Sequence, residues 1–252
     1  SHSGNAGADR LSVFDYFMDS LVISLAPVAI IAAYIWFRDK YEREPFVLLL
    51  LSLVAGALIV IPVMAVESVL STAGENFAGW AETAWTAFVV AGFTEEMFKF
   101  IALFLLFWKR REFNEKYDGI VYATFISLGF AAVENVMYVF RDGYATGLLR
   151  AFTAVPAHAI FGITMGYYAG LAKFYPQKRK RYSVLALFIP VLLHGIYDFI
   201  LMAGYEWLWI FFLAFVVYLY ITGLKRMKYL SDHSYFRTDY ELLNKKFSDG
   251  DT

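Results

Sequence analysis

Seven ionisable residues interrupt stretches that are otherwise apolar: Glu95, Glu96, Lys99, Glu134, His158, His194 and Asp198. A charge at bilayer depth costs at least about 2.5–3.5 kcal/mol, so each needs a partner and usually serves a function. Residues three or four apart on a helix share a face. Lys99 therefore reaches Glu96 or Glu95, and His194 shares a face with Asp198. Glu95 and Glu96 themselves diverge by roughly 100° about the helix axis. One of the two carboxylates can pair with Lys99 while the other is left for chemistry or for a cation.

A set of Glu and His residues points to water as the nucleophile. A glutamate acts as general base, and a histidine stabilises the developing oxyanion or protonates a leaving amine. Alternatively, His158 and His194 with a carboxylate such as Glu134 or Asp198 hold Zn²⁺ and leave a position open for water. The residue types leave metal-free and metal-assisted hydrolysis both open. Other chemistries are excluded more firmly. With no cysteine, thiolate catalysis and Cys-based metal sites are absent. There is no G-x-S-x-G elbow around Ser127 in FISLGF and no H-E-x-x-H helix. Asp198 follows Tyr197 as in one half of an aspartyl intramembrane protease site. It is the one aspartate inside an apolar stretch, so two-aspartate catalysis fails by counting.

The elements that must position these groups are membrane helices. Of 252 residues, 60% are hydrophobic and 18% charged, with a mean hydropathy of +0.52, where soluble domains carry about 25% charged residues. Seven stretches are long enough to cross the hydrocarbon core: 20–37, 46–71, 83–108, 120–140, 151–172, 184–203 and 206–222. The fold class is therefore an all-α polytopic bundle of about seven spans. Domain organisation is simple, with an N-terminal segment 1–19, a membrane domain 20–223 and a polar tail 224–252. Ser1–Gly7, which includes His2, is small and polar, lacks the order of a signal peptide and is set apart from the functional reading.

Basic residues orient the bundle. One set of alternate loops and the tail carry eighteen Lys and Arg, including the run Lys178–Arg181 and the tail residues Arg237, Lys245 and Lys246. The opposite set has three, Arg10, Arg141 and Arg150. This predicts the N-terminus outside and the C-terminus in the cytoplasm. Measured from the outer ends at 1.5 Å per residue, Glu95 and Glu96 lie roughly 18 Å deep, and Glu134, His158, His194 and Asp198 roughly 8–14 Å. Four helices thus bring ionisable groups to one depth range. Glu67 sits near an outer end, can snorkel, and is left out. A net charge of −1 without a basic tract argues against nucleic acid as partner.

Plainer accounts exist. Lys99 and Glu96 can be an ion pair that only makes insertion tolerable, and a lone His can be a neutral interhelical hydrogen-bonding residue. The same cluster also suits a proton- or ion-coupled transporter or channel, in which Pro156 and Pro190 would break helices near His158 and His194. No inverted repeat accompanies it. A retinal protein would need a lysine in the last span, and 206–222 has none. Gly79, Gly92, Gly129, Gly162 and Gly166 permit close helix approach, within one subunit or between two.

Taken together, Glu95-Glu96-x-x-Lys99, Phe130-x-x-x-Glu134-Asn135, His158 in PAHAIFG and His194-x-x-x-Asp198 resemble, in order and on successive spans, the PrsW family of intramembrane proteases. That family is related to the type II CAAX prenyl endopeptidases, whose pattern is EExxxR, FxxxH and Hxxx(N/B). Lys99 here stands for their Arg, and Glu134 with Asn135 stands for their His, which argues against prenyl-protein processing. The resemblance covers about 45–201. It implies a multi-pass protease of the bacterial inner membrane, making the site-1 cut in a single-pass anti-sigma factor on the extracytoplasmic side. It also implies that Glu95 and Glu96 carry or activate the water, with His194 as the main histidine, His158 catalytic beside it, and Lys99, Glu134, Asn135 and Asp198 in support. Members of the family are classed as metalloproteases.

Overall fold

The computed structural model describes residues 3–234, with side chains from Asp15 onward. Residues 1–2 and 235–252, among them His2, Arg237, Lys245 and Lys246, lie outside the described residues. Among the described residues ten α-helices follow one another: α1 (Ser3–Arg38), α2 (Phe46–Leu58), α3 (Val60–Gly74), α4 (Trp80–Ala84), α5 (Thr94–Leu106), α6 (Lys116–Asp142), α7 (Tyr144–Phe152), α8 (Ala154–Phe174), α9 (Arg179–Met202) and α10 (Leu208–Asp232). A π-helical segment, Trp85–Phe93, joins α4 to α5, and a 3₁₀ turn, Pro176–Lys178, precedes α9. No strand occurs among the described residues.

Six stretches are long and apolar enough to cross a membrane: Asp15–Arg38, Phe46–Gly74, Lys116–Asp142, Tyr144–Phe174, Pro176–Met202 and Leu208–Asp232. The remaining span expected from the sequence, 83–108, falls on the continuous helical rod 80–106. That rod has the length but carries Glu95, Glu96 and Lys99 in its middle, so its hydropathy is broken by the very residues of interest.

Helix boundaries follow local chemistry. The second expected span is interrupted at Ile59, because Pro62 has no N–H to give the Leu58 carbonyl. Glu115 caps α6 in a reciprocal box with Asp118. Gly143, with φ 86°, ends α6 and lets α7 fold back. Neither proline near a histidine breaks a helix, as the transporter alternative would have them do. Pro156 sits in the first turn of α8, where no intrahelical donor is required, and Pro190 is carried inside an unbroken α9. The break before α8 is at Thr153, which sets Arg150 on a separate short helix.

The fourth expected span, α6, is the least uniformly apolar yet lies at the centre, packed by α1, α2 and α8. Its Thr124 and Ser127 are fully buried, so its polar residues face other helices and not lipid. α9 packs against α8 and the π-helical segment. That contact needs Gly92 and Gly195. A methyl group on Gly92 would press on the α9 backbone at Gly195 and Val191, and one on Gly195 would collide with the Phe88 ring. Gly79, by contrast, has open space about it and φ 60°. It serves the turn into α4 and not a close approach.

α10 continues past the expected end at 222 and across the 223/224 boundary to Asp232. Met227 and Leu230 are buried there, and Arg226 donates to Thr164 Oγ1 at 2.7 Å. At the same end of the bundle, the turn between α1 and α2 is held by the Glu44 amide donating to Asp39 Oδ2 at 3.1 Å. Burial pushes the Asp39 and Glu44 carboxyls up to about 7.

Candidate active site

Glu95, Glu96 and Lys99 occupy the first turns of α5, directly after the π-helical segment. Such segments are rare and recur at functional sites. Here the wider helix is stabilised by Thr94 Oγ1 donating to the Val89 carbonyl five residues back, at 3.1 Å. The Gly92–Gly195 approach then lays the start of α5 against α9, beside His194.

Lys99 is the hub. Its ammonium is fully buried and donates to Glu95 Oε2 at 3.2 Å, Glu96 Oε1 at 2.8 Å and His158 Nδ1 at 3.2 Å. The Phe130 ring covers it, with the ring centroid 4.3 Å from Nζ. An ammonium has no lone pair, so His158 Nδ1 must accept and the ring proton sits on Nε2. That nitrogen faces Glu134 Oε2 at 2.8 Å. Glu134 is balanced from its other side by Arg150 Nη2 at 3.0 Å. The tautomer of His158 is therefore set by Lys99 on one side and an ion pair on the other.

His194 lies perpendicular to His158 with ring centroids 5.2 Å apart, and Phe161 stacks on it at 4.9 Å. Both its nitrogens face carboxylates: Nδ1 is 3.0 Å from Glu96 Oε1, while Nε2 is 3.3 Å from Asp198 Oδ2 and 3.9 Å from Glu95 Oε1. Asp198 thus orients the ring that Glu96 grips from behind.

These groups surround a cavity of about 560 Å³. Glu95, Glu134, His158, His194 and Asp198 line it, together with Glu67 and Arg150. Side chains from α5, α6, α8 and α9 accordingly meet in one pocket, as the shared depth of the spans implied. Glu96 and Lys99 stand behind the wall, both fully buried. Asn135 is also away from the cavity. It donates to the Ser24 carbonyl on α1 at 2.9 Å and accepts from Arg150 Nε at 3.0 Å, tying α1 to the Arg150–Glu134 pair.

Two lining residues escaped the sequence reading. Arg150 was counted only as an outer-loop charge and Glu67 was left out as a snorkelling residue. Arg150 could have been inferred from the need of Glu134 for a cation, since the outer loops offer few. Glu67 gave no such signal, because its approach depends on how α3 leans over the cavity.

The donor chemistry suits a metal ion. Glu95, Glu96, His158 and His194 each offer one atom, and these atoms lie within 4.8 Å of one another. Glu96 Oε2 is buried without a hydrogen-bond partner among the described residues. This compact quartet keeps both histidines of the expected set but draws its carboxylates from α5. Glu134 and Asp198 stand one step outside, each bonded to a histidine.

Comparison with known proteins places the chain in a family. The profile of the PrsW family intramembrane metalloprotease matches residues 44–224. The chain belongs to the PrsW family of intramembrane proteases. It is 37% identical to Protease PrsW of Clostridioides difficile (strain 630) over 86% of this chain and 93% of that one. It is 38% identical to Protease PrsW of Bacillus subtilis (strain 168) over 81% and 92%, and 37% identical to that of Oceanobacillus iheyensis over 85% and 97%. No solved structure matches it. Membership in the PrsW family makes this multi-pass membrane chain an intramembrane protease and sets aside the transporter and retinal-protein alternatives.

Proposed function

We propose that this protease hydrolyses a peptide bond of a single-pass membrane protein in the bacterial inner membrane, on the extracytoplasmic side, as the first cut in an anti-sigma factor. The observation that carries the reading is the convergence of Glu95, His158 and His194 on one pocket, with ligand atoms within 4.8 Å of one another, close enough to share a water molecule or a cation.

Glu95 is the carboxylate of the α5 pair that lines the cavity, and in this reading it is the general base. It takes the proton of the attacking water and passes it to the leaving amine. Lys99 holds Glu95 and Glu96 at fixed positions and cancels part of their charge, so two adjacent carboxylates survive burial. His158, whose Nε2–H is held by Glu134, and His194, braced by Asp198 and Glu96, line the space into which the scissile carbonyl would be brought. Glu134 and Arg150 fix His158, and Asn135 anchors Arg150.

In a metal-assisted form of the reaction, Glu95, Glu96, His158 and His194 would hold Zn²⁺ in place of the bonds to Lys99, and Glu95 would then be a ligand and not the base. A bound zinc ion lowers the pKa of water to about 7 and polarises the scissile carbonyl.

The test is cleavage of a single-pass substrate by the purified protein in liposomes, with Glu95→Gln, Glu96→Gln and His194→Ala beside the wild type. Loss of cleavage in all three, with normal elution on size exclusion, is expected. Full activity in both glutamine variants would overturn carboxylate-driven hydrolysis. Metal analysis before and after chelation and re-addition tests the zinc assignment.

A further inference from the structure

A second group of buried carboxylates lies at the opposite end of the helices, where the α1–α2 turn meets the start of α6. One oxygen each of Glu42, Glu44 and Asp118 lies within 4.8 Å of the others. Glu44 is 5% exposed and Asp118 fully buried. No ion pair joins any of the three to a Lys or Arg among the described residues. The nearest lysine on α8, Lys173, spends its ammonium on the Trp108 and Arg110 carbonyls at 2.9 and 3.4 Å.

Each carboxylate has one oxygen engaged. Asn114 Nδ2 donates to Glu42 Oε1 at 2.8 Å, the Tyr122 hydroxyl donates to Glu44 Oε2, and the Asn114 and Glu115 amides both donate to Asp118 Oδ2 at 2.7 Å. The other three oxygens, Glu42 Oε2, Glu44 Oε1 and Asp118 Oδ1, are buried and accept from no N–H or hydroxyl donor among the described residues; what Glu44 and Asp118 have at this point is each other, a contact that a shared proton or a cation can hold. Three carboxylates oriented through one oxygen and left open at the other are what a metal's outer shell does to its ligands. A buried acceptor without a partner is otherwise rare and costly.

We infer that Glu42, Glu44 and Asp118 form a site for a hard divalent cation. An all-oxygen set with no imidazole suits Mg²⁺, Ca²⁺ or Mn²⁺, not the zinc that a His-containing set favours. The ion fastens the α1–α2 turn to the capping box of α6. From there the coupling runs inward. Tyr122, which holds Glu44, stacks on Phe107 at 4.5 Å, and Phe107 closes the C-terminal end of α5, the helix that carries Glu95 and Glu96.

The experiment uses Mn²⁺ as the probe. The full chain in detergent is stripped of metal and titrated with Mn²⁺ by electron paramagnetic resonance, with His158→Ala/His194→Ala as background so that the cavity cluster does not contribute. One bound Mn²⁺, displaced by Mg²⁺ or Ca²⁺, is expected. Glu42→Gln weakens it about 10- to 100-fold, the usual cost of disturbing a metal's ligand shell, and abolishes the rise in melting temperature that Ca²⁺ gives the parent. Asp118→Asn should do the same. If that variant does not fold, Glu42→Gln, at the least buried of the three carboxylates, carries the test. Mn²⁺ affinity unchanged in Glu42→Gln overturns the site. So does a parent protein that binds no Mn²⁺ and whose melting temperature ignores cations but rises on acidification, the signature of a proton shared by Glu44 and Asp118.

Discussion

The carboxylates of Glu95 and Glu96 are buried with their own cation, whereas those of Glu44 and Asp118 are buried with hydrogen-bond donors. Lys99 sits within 3.2 Å of both members of the first pair. The second group accepts from amides and a phenol and makes no ion pair with an ammonium among the described residues. Chemically identical side chains thus sit in two different electrostatic situations within one molecule. An internal cation lets carboxylates stand charged beside a cavity, available to water. Neutral donors orient carboxylates but leave their charge unbalanced, which is the situation of ligands awaiting an ion.

The comparison breaks first at Lys99. If its ammonium is what makes the cavity cluster self-sufficient, Lys99→Met leaves two buried carboxylates uncompensated and removes the donor that sets the His158 tautomer. A loss of about 3–5 kcal/mol is expected, as for other broken buried pairs, seen as aggregation or a much lower melting temperature, with no cleavage. A folded, active Lys99→Met protein would end the idea of a self-sufficient cluster. Glu95→Gln keeps the shape and the acceptor for Lys99, so it should fold normally and lose about 10²–10⁴-fold in kcat, read in the liposome assay.

A smaller effect is expected at Arg150. Arg150→Met removes the counter-ion of Glu134 and should lower cleavage roughly tenfold by loosening His158, a positioning effect within the usual range for ligand-orienting groups. The double variant Arg150→Met/Glu134→Gln should recover part of the loss, because the stranded carboxylate is gone. Gly195→Ala tests the scaffold. Its methyl group meets the Phe88 ring, and overpacking of this kind costs about 1–3 kcal/mol, read as a lower melting temperature with a partial loss of activity. Least affected should be cleavage in Glu42→Gln. That variant should lose the stabilisation by Ca²⁺ or Mg²⁺ while retaining most of the turnover, since the two clusters lie at opposite ends of the helices.

Much of the site was legible because helical geometry is local. The pairing of Lys99 with Glu95 and Glu96, and of His194 with Asp198, follows from spacing on one rod, and both are present. The polytopic class followed from composition. Less legible were places where a polar side chain is satisfied by a distant helix. Asn135 shared a motif with Glu134 but turns to Ser24 on α1. Arg150 looked like a topology charge and is a partner of Glu134 across the cavity. Glu44 has no sequence signal of burial, yet Tyr122 on α6 covers it. Hydropathy could not report these, because it weighs each residue by type and not by neighbour.

The amino-acid sequence by itself determined that the chain is a polytopic helical bundle, which charges fall in its apolar stretches, and which of those charges share a helix face. Those are consequences of side-chain transfer cost and of 3.6 residues per turn. Only the tertiary structure decided that Lys99 meets His158, that His194 meets Glu96, and that Arg150 meets Glu134. These contacts join residues far apart in the chain. They depend on which helix faces come together, and that is set by small residues such as Gly92 and Gly195 that let two backbones approach.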